Sequence, residues 1–340
     1  MFPVKKEITK RIKDRISKVI NHGQFIMGPE VFELERKLQK YTGFKYCVTC
    51  SSGTDALMMS MMAMGLNSYD NVIMSPFTFV SAKECVENIG AHDWYVDINI
   101  ETLLMGEVLM DNIKNKHIIL TDIFGRPNDS TSVHPAIIDA AQSFGSFSSD
   151  IKENDLLCTS FFPTKPFGCF GDGGAIFTNS DEQNKKLVSI REHGRSKHDK
   201  YKYERSGING RLDTIQAAVL LEKLKIFPEE LKARRKIASQ YYDMLGGKLE
   251  LPEWTINHSW AQFVVLAENS EQRAVYRAFL KEGGVDTAVY YPSPLSSDKK
   301  LKVANDVCSR IFSIPMHPYL TEEDIFTVVW AIKRAEKVLF

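Results

Sequence analysis

Along residues 5–21 the apolar side chains Ile8, Ile12, Ile16, Val19 and Ile20 recur three and four apart among lysines and arginines. That spacing predicts an amphipathic helix, with Asn21-His22-Gly23 as its stop. The loop GQFIMGPE follows, and Pro29 suits the first turn of a second helix over about 30–42. Phe25, Ile26 and Met27 concentrate apolar surface in that loop, as a plug for the core or as a lip over a ligand. Residues 46–49 read as a short strand. SSGTDALMMSMMAMG then opens a helix that is apolar nearly all round and is therefore expected to be buried.

From there strand-like and helix-like stretches alternate. Strands are expected at 71–74, 93–96, 118–122 and 136–139, and helices at about 79–89 and 107–115. Such alternation predicts an α/β fold with a mostly parallel sheet sandwiched by helices and ligands at the carboxyl ends of the strands. In SFFPTKPFGCFGDGGAIFT at 160–178, Lys165 lies between two further apolar, strand-like runs. Helices follow at 181–194, from Arg211 to about Leu224, and at 227–246, where a charged helix bridges into a second unit. The remainder reads as a smaller C-terminal α/β domain, with strands near 261–266 and 287–291 and helices near 270–282 and 321–338. The expected division is 1–225 for an N-terminal arm and large domain, and 226–340 for the bridging helix and small domain.

Charge removes several functional classes. Lys+Arg and Asp+Glu both total 43, so no electrostatic footprint for nucleic acid or an anionic membrane exists. No apolar run is long enough to span a bilayer, and MFPVKKEITKRIKDRISKVI lacks the apolar core of a signal peptide, which points to the cytoplasm. The six cysteines show no disulfide framework. Cys47 and Cys50 form a CxxC, but it lies on a strand-like run without a second CxxC or a nearby histidine pair, so no metal site is expected.

Three polar features stand out against this background. Ser51, Ser52 and Thr54 surround Gly53 at the start of a buried helix, where free N–H groups and the helix dipole favour an anion, though capping alone would explain them. Asp139 ends a predicted strand, as a helix cap or a ligand-facing acid. Lys165 sits among prolines, glycines and phenylalanines, where lost solvation lowers an amine's pKa and makes it nucleophilic; it is otherwise an ordinary loop lysine. Together these are the parts needed to hold pyridoxal phosphate: a lysine for the aldehyde, a helix start for the phosphate and a carboxylate for the pyridine nitrogen.

Over nearly its whole length the chain resembles the DegT/StrS-like nucleotide-sugar aminotransferases, which are fold-type I pyridoxal phosphate enzymes. The resemblance is carried by GQFIMGPEVFELE, SSGTDAL, SPFTFVSA, DAAQSFG, SFFPTKPFGCFGDGGAIFT, GINGRLDTIQAA, YYPSPL and SIPMHPYL. It looks closest to members that aminate a UDP-linked 3-keto-N-acetylhexosaminuronate for bacterial surface polysaccharides. The resemblance implies Lys165 as Schiff-base lysine and proton carrier, Asp139 at the pyridine nitrogen, Gln142 near the ring's phenolic oxygen and Phe79 stacked on the ring. It implies Gly53, Thr54 and Ser160 at the phosphate, joined by Asn209 from a partner subunit, hence a homodimer with a shared active site. Arg211 is the candidate for an anionic group of the sugar, its alternative being a salt bridge to Asp213 or Glu222. His317 and Tyr319 are further substrate candidates, and glutamate is the expected amino donor.

The segments 98–116, 126–138 and 146–157 are shorter than in the family. Between Gly125 and Asp139 there is little room for the usual crossover helix. Tyr290 stands where relatives often carry histidine. Sugar 3-dehydratases of the same fold replace the Schiff-base lysine with histidine, whereas Lys165 is intact. A dTDP- or UDP-linked keto-6-deoxyhexose is the alternative substrate, and a non-catalytic regulatory protein the alternative from another class.

Overall fold

The first helix forms as its spacing requires: α1 (Lys6–His22) buries Ile8, Ile12 and Val19. The computed structural model describes residues 6–107, 116–128, 134–199, 201–246 and 249–339. In chain order, α2 (Pro29–Thr42), β1 (Tyr46–Cys50), α3 (Gly53–Met64), β2 (Asn71–Met74), α4 (Ser81–Ile89) and β3 (His92–Tyr95) follow. Next come β4 (Lys116–Thr121), β5 (Ile137–Asp139), β6 (Leu156–Ser160), β7 (Gly174–Thr178), α5 (Asp181–Arg191), α6 (Thr214–Lys223) and α7 (Phe227–Leu245). The chain closes with β8 (Phe263–Leu266), α8 (Ser270–Glu282), α9 (Lys302–Arg310), β9 (Ile311–Ile314) and α10 (Glu322–Leu339).

Seven strands form one sheet in the order β1-β7-β6-β5-β4-β2-β3. Only β7 runs against its neighbours, pairing antiparallel with β1 and β6, while the other pairs are parallel. Strands β5, β6 and β7 are buried at every position, as a sheet covered on both faces demands. Period-2 alternation divides them: Ile138, Leu157 and Phe177 join the core beneath α1, α2 and α6, and Ile137, Cys158 and Ile176 join the core beneath α3. A separate apolar core gathers α7, β8, α8, β9 and α10 around Tyr241, Phe263, Tyr276 and Phe312.

Several expectations need correction. The helix expected from Arg211 begins at Thr214, because the preceding backbone is held by the α1–α2 loop. Ile26 bridges Asp213, Thr214 N–H donates to the Phe25 carbonyl at 3.0 Å, and Gly28 N–H donates to Thr214 Oγ1 at 3.0 Å. Phe25 and Ile26 stay about half exposed, so they do not plug the core. The strand expected at 287–291 reduces to a single bridge between Ala288 and Ser313, since the backbone turns away toward Pro292 and Pro294. The first of the helices after the Lys165 stretch ends at Arg191 rather than 194, where Gly194 takes a positive φ of 78°. The helix expected at 107–115 falls almost wholly outside the described residues. Both α9 and β9 lie where no element was expected.

Candidate active site

The carboxyl ends of the parallel strands converge on one cavity of about 610 Å³. Gly53, Thr54, Phe79, Asp139, Gln142, Ser160 and Lys165 all line it, so the structure brings together seven of the sequence-derived candidates. Asp139 is the last residue of β5, and Ser160 the last of β6, one strand over. Lys165 lies in the loop that joins β6 to β7.

That loop is stitched at both ends. Phe161 N–H donates to the Gly173 carbonyl and Cys169 N–H to the Phe161 carbonyl, each at 2.7 Å, while Lys165 N–H closes a turn onto Phe162 at 2.9 Å. A side chain at Gly168 would lie 2.4 Å from the Phe162 carbonyl oxygen, so only glycine fits this fold-back. Lys223 donates from below to the Gly168 carbonyl. Phe167 anchors the loop by stacking on Phe144 with centroids 5.0 Å apart and packing on Phe227 at 5.1 Å. The lysine thus stands on a rigid aromatic base.

Electrostatics follow from burial. Desolvation lowers the Lys165 pKa, and the Asp139 charge only partly restores it. Desolvation likewise raises the Asp139 pKa, opposed by the Ala141 N–H, which donates to Oδ1 at 3.1 Å, and by the Lys165 charge. Burial thus moves the acid and the amine of one cavity in opposite directions, each toward its neutral form, while their mutual attraction opposes both shifts.

At the other end, Ser52 caps α3 by accepting from Asp55 N–H at 2.9 Å. The amides of Gly53 and Thr54, the first two of the helix, are left without an intrahelical acceptor. A Cβ at Gly53 would stand 2.8 Å from Ser160 Cβ, so the bare glycine lets helix start and strand end close around one spot. A phosphate group fits there. With a buried carboxylate, an exposed aromatic ring at Phe79 and a desolvated amine, the residues fit a phosphorylated pyridine aldehyde.

The remaining candidates lie elsewhere. His317 lines a second cavity of about 610 Å³ that shares Thr164, Gln262 and Tyr290 with the first. The Tyr319 hydroxyl is bonded to Glu230, behind the Lys165 loop. Asn209 is exposed, its backbone bridging Glu192. Arg211 carries a buried Nε with no hydrogen-bond partner among the described residues. Its proposed salt bridges do not form there: Glu222 is taken by Arg15 at 2.7 Å and Lys225 at 2.6 Å, and Asp213 is exposed. Sequence reasoning missed Thr121, Asp122, Gln262 and Tyr291 on the cavity wall. Thr121 ends β4 in register with Asp139 of β5, and Asp122 follows it directly, which was the available signal.

The sequence profile of the DegT/DnrJ/EryC1/StrS aminotransferase family matches residues 6–333. The chain belongs to this aminotransferase family. It is 40% identical to the UDP-2-acetamido-2-deoxy-3-oxo-D-glucuronate aminotransferase of Pseudomonas aeruginosa, over 95% of this chain and 96% of that one. It is 31% identical to the UDP-N-acetyl-3-dehydro-alpha-D-glucosamine 3-aminotransferase of Acidithiobacillus ferrooxidans, over 94% and 92%. Among solved structures, NtdA of Bacillus subtilis with bound PMP superposes with a TM-score of 0.91 at 28% identity, covering 98% of this chain and 83% of that one. This enzyme therefore has the fold-type I architecture expected of the family.

Proposed function

We propose that this protein uses pyridoxal phosphate to move an amino group from glutamate to a nucleotide-linked keto-sugar, with a UDP-linked 3-keto-N-acetylhexosaminuronate as the first-choice acceptor. The observation that carries the reading is the desolvated Lys165 amine facing the buried Asp139 in the cavity whose far end is the start of α3. The choice of sugar is supported by the P. aeruginosa relative, whose acceptor is a 3-oxo-glucuronate.

When bound, the cofactor supplies an electron sink that stabilises negative charge on the substrate carbon. The chain's residues do the rest. Lys165 would hold the cofactor through its aldehyde, and its Nζ is the group placed to take and return the proton in both half-reactions. Asp139 would keep the pyridine nitrogen protonated. Gly53, Thr54 and Ser160 would hold the phosphate, Phe79 would pack on the ring and Gln142 would serve its phenolic oxygen. Asn209 of a second copy completes the phosphate site in a homodimer. We assign Arg211, whose Nε has no hydrogen-bond partner among the described residues, to the sugar carboxylate, and His317, which lines the adjoining cavity, to the substrate, whereas Tyr319 is committed to Glu230. We assign the enzyme to the cytoplasm.

The test presents the purified protein with glutamate and a panel of keto-sugar nucleotides and follows loss of the amino form of the cofactor by absorbance. A visible band lost in Lys165→Ala, and turnover of the uronic sugar well ahead of deoxy sugars, is expected. Absence of the band overturns the reading. Equal use of uronic and deoxy sugars overturns the carboxylate role of Arg211.

A further inference from the structure

Tyr291, a residue of the YYPSPL motif left without an assigned role, closes the cavity wall beside Gln142. The Tyr291 ring packs edge-on to Phe77 with centroids 5.9 Å apart and stands 6.4 Å from Phe79, so its position is fixed on the ring-binding side. Its hydroxyl lies 3.2 Å from Gln142 Nε2. The direction of that bond is dictated from behind. Phe124 N–H, a group that only donates, points at Gln142 Oε1 at 2.6 Å and so fixes which end of the amide is the acceptor. The NH₂ end must then face Tyr291 and donate to its oxygen. The tyrosine oxygen is an acceptor in this pair, and its own proton is not used by any bond in the described residues.

Phe124 is itself held in the left-handed region, at φ 57° and ψ 3°, a conformation a phenylalanine adopts only when its surroundings enforce it. The chain from Phe124 through Gln142 to Tyr291 is therefore a built relay of direction. Burial, with the nearby Asp139 charge, pushes the Tyr291 pKa up, so the hydroxyl keeps its proton throughout the neutral range.

We propose that Tyr291 donates its hydroxyl proton to an oxygen of the ligand bound in the Lys165 cavity, with Gln142 as the residue that aims it. The proposal rests on the aminotransferase reading above. The shared chemistry is an oxygen acceptor, either the phenolic oxygen of the cofactor or an oxygen of the substrate at the reacting carbon. A donor already aimed at such an atom needs no reorganisation as negative charge grows on it.

Tyr291→Phe tests this in the full-length holoenzyme, because it keeps the ring and removes only the hydroxyl. The two half-reactions are measured separately, with the melting midpoint as a fold control. A loss of about ten- to hundred-fold in kcat/KM is expected for a charge-assisted donor. A fall in both half-reactions, with a shifted absorption maximum of the lysine-bound cofactor, identifies the cofactor oxygen. A fall in only one half-reaction, with an unshifted spectrum, identifies the oxygen of that half-reaction's substrate. A purely structural tyrosine would lower the midpoint and leave both half-reactions within twofold, and that result overturns the proposal. If Tyr291→Phe does not fold, Gln142→Glu decides. There the new carboxylate accepts the tyrosine proton and turns it away from the cavity, so rates that stay within twofold of wild type overturn the proposal. A wild-type protein with no cofactor band would instead overturn the aminotransferase reading itself.

Discussion

Replacing Gly53 by alanine sets two effects of known size against each other. Gly53 is the first residue of α3 and its backbone is not in the left-handed region, so an alanine there incurs no backbone strain. Helix propensity alone favours alanine over glycine by up to about 1 kcal/mol, and by less at a helix end. Against this, the new Cβ would stand 2.8 Å from Ser160 Cβ, 3.3 Å from its Oγ and 3.4 Å from its Cα. Contacts below 3.0 Å between carbons require movement, and Ser160 has little room to give. It is the last residue of the fully buried β6, opposite Gly174 of β7 in the register, and its Oγ accepts from Phe162 N–H at 3.2 Å. Overpacking of this kind costs about 1–3 kcal/mol, so the clash outweighs the propensity gain.

Urea unfolding of the cofactor-free protein should therefore show a net loss of about 1–2 kcal/mol. Because the helix start and Ser160 are the two walls of the proposed phosphate site, cofactor affinity should fall at least about tenfold, which corresponds to about 1.4 kcal/mol. Ser160→Gly removes the atom that clashes. The double variant Gly53→Ala with Ser160→Gly should then be more stable than the sum of the single effects by about 1–2 kcal/mol, a coupling a double-mutant cycle resolves. A Gly53→Ala protein as stable as wild type, with unchanged cofactor affinity, would refute the reasoning.

Lys165 has a lowered pKa in the folded chain, so the unfolded chain binds more protons between that pKa and the ordinary 10.5. Stability of the cofactor-free protein should therefore rise with pH across that window, and Lys165→Met should abolish the rise in urea midpoints measured up to pH 10.5. Arg191 is buried and donates to Glu35 Oε1 at 2.6 Å and to the Thr49 carbonyl at 3.1 Å. Arg191→Met leaves the Glu35 carboxylate without its cation, held only by the Thr49 N–H and hydroxyl, and should cost about 3 kcal/mol by chemical denaturation, far more than breaking the exposed Lys45–Asp181 pair. Lys223→Met removes the donor to the Gly168 carbonyl and should slow cofactor capture by Lys165 with little change in the melting midpoint, as stopped-flow absorbance would show.

What was readable in advance and what was not divides along physical lines. Period and punctuation are local, so α1, α2, the buried α3 and the strand ending in Asp139 emerged from the sequence pattern. Lys165 was legible because glycine and proline around a lone amine are a local anomaly. The start of α6 was not, because its boundary is set by a segment almost two hundred residues earlier: Phe25 and Gly28 occupy the Thr214 N–H and hydroxyl. β9 was hidden for another reason. Ile311–Ile314 follows α9 without a turn residue, and a four-residue apolar run is a strand only when a partner such as β8 is present. Tyr291 combines both difficulties. Its sequence position reads as the end of a strand at 287–291 that the structure does not form, and its significance depends on a bond direction fixed at Phe124 and passed through Gln142. No periodicity encodes such a relay, since a hydrogen bond's polarity is a property of three groups brought together by the fold. Candidates for holding a cofactor were thus visible as motif chemistry, whereas the donor role proposed for Tyr291 becomes visible only when the donors and acceptors around it are counted.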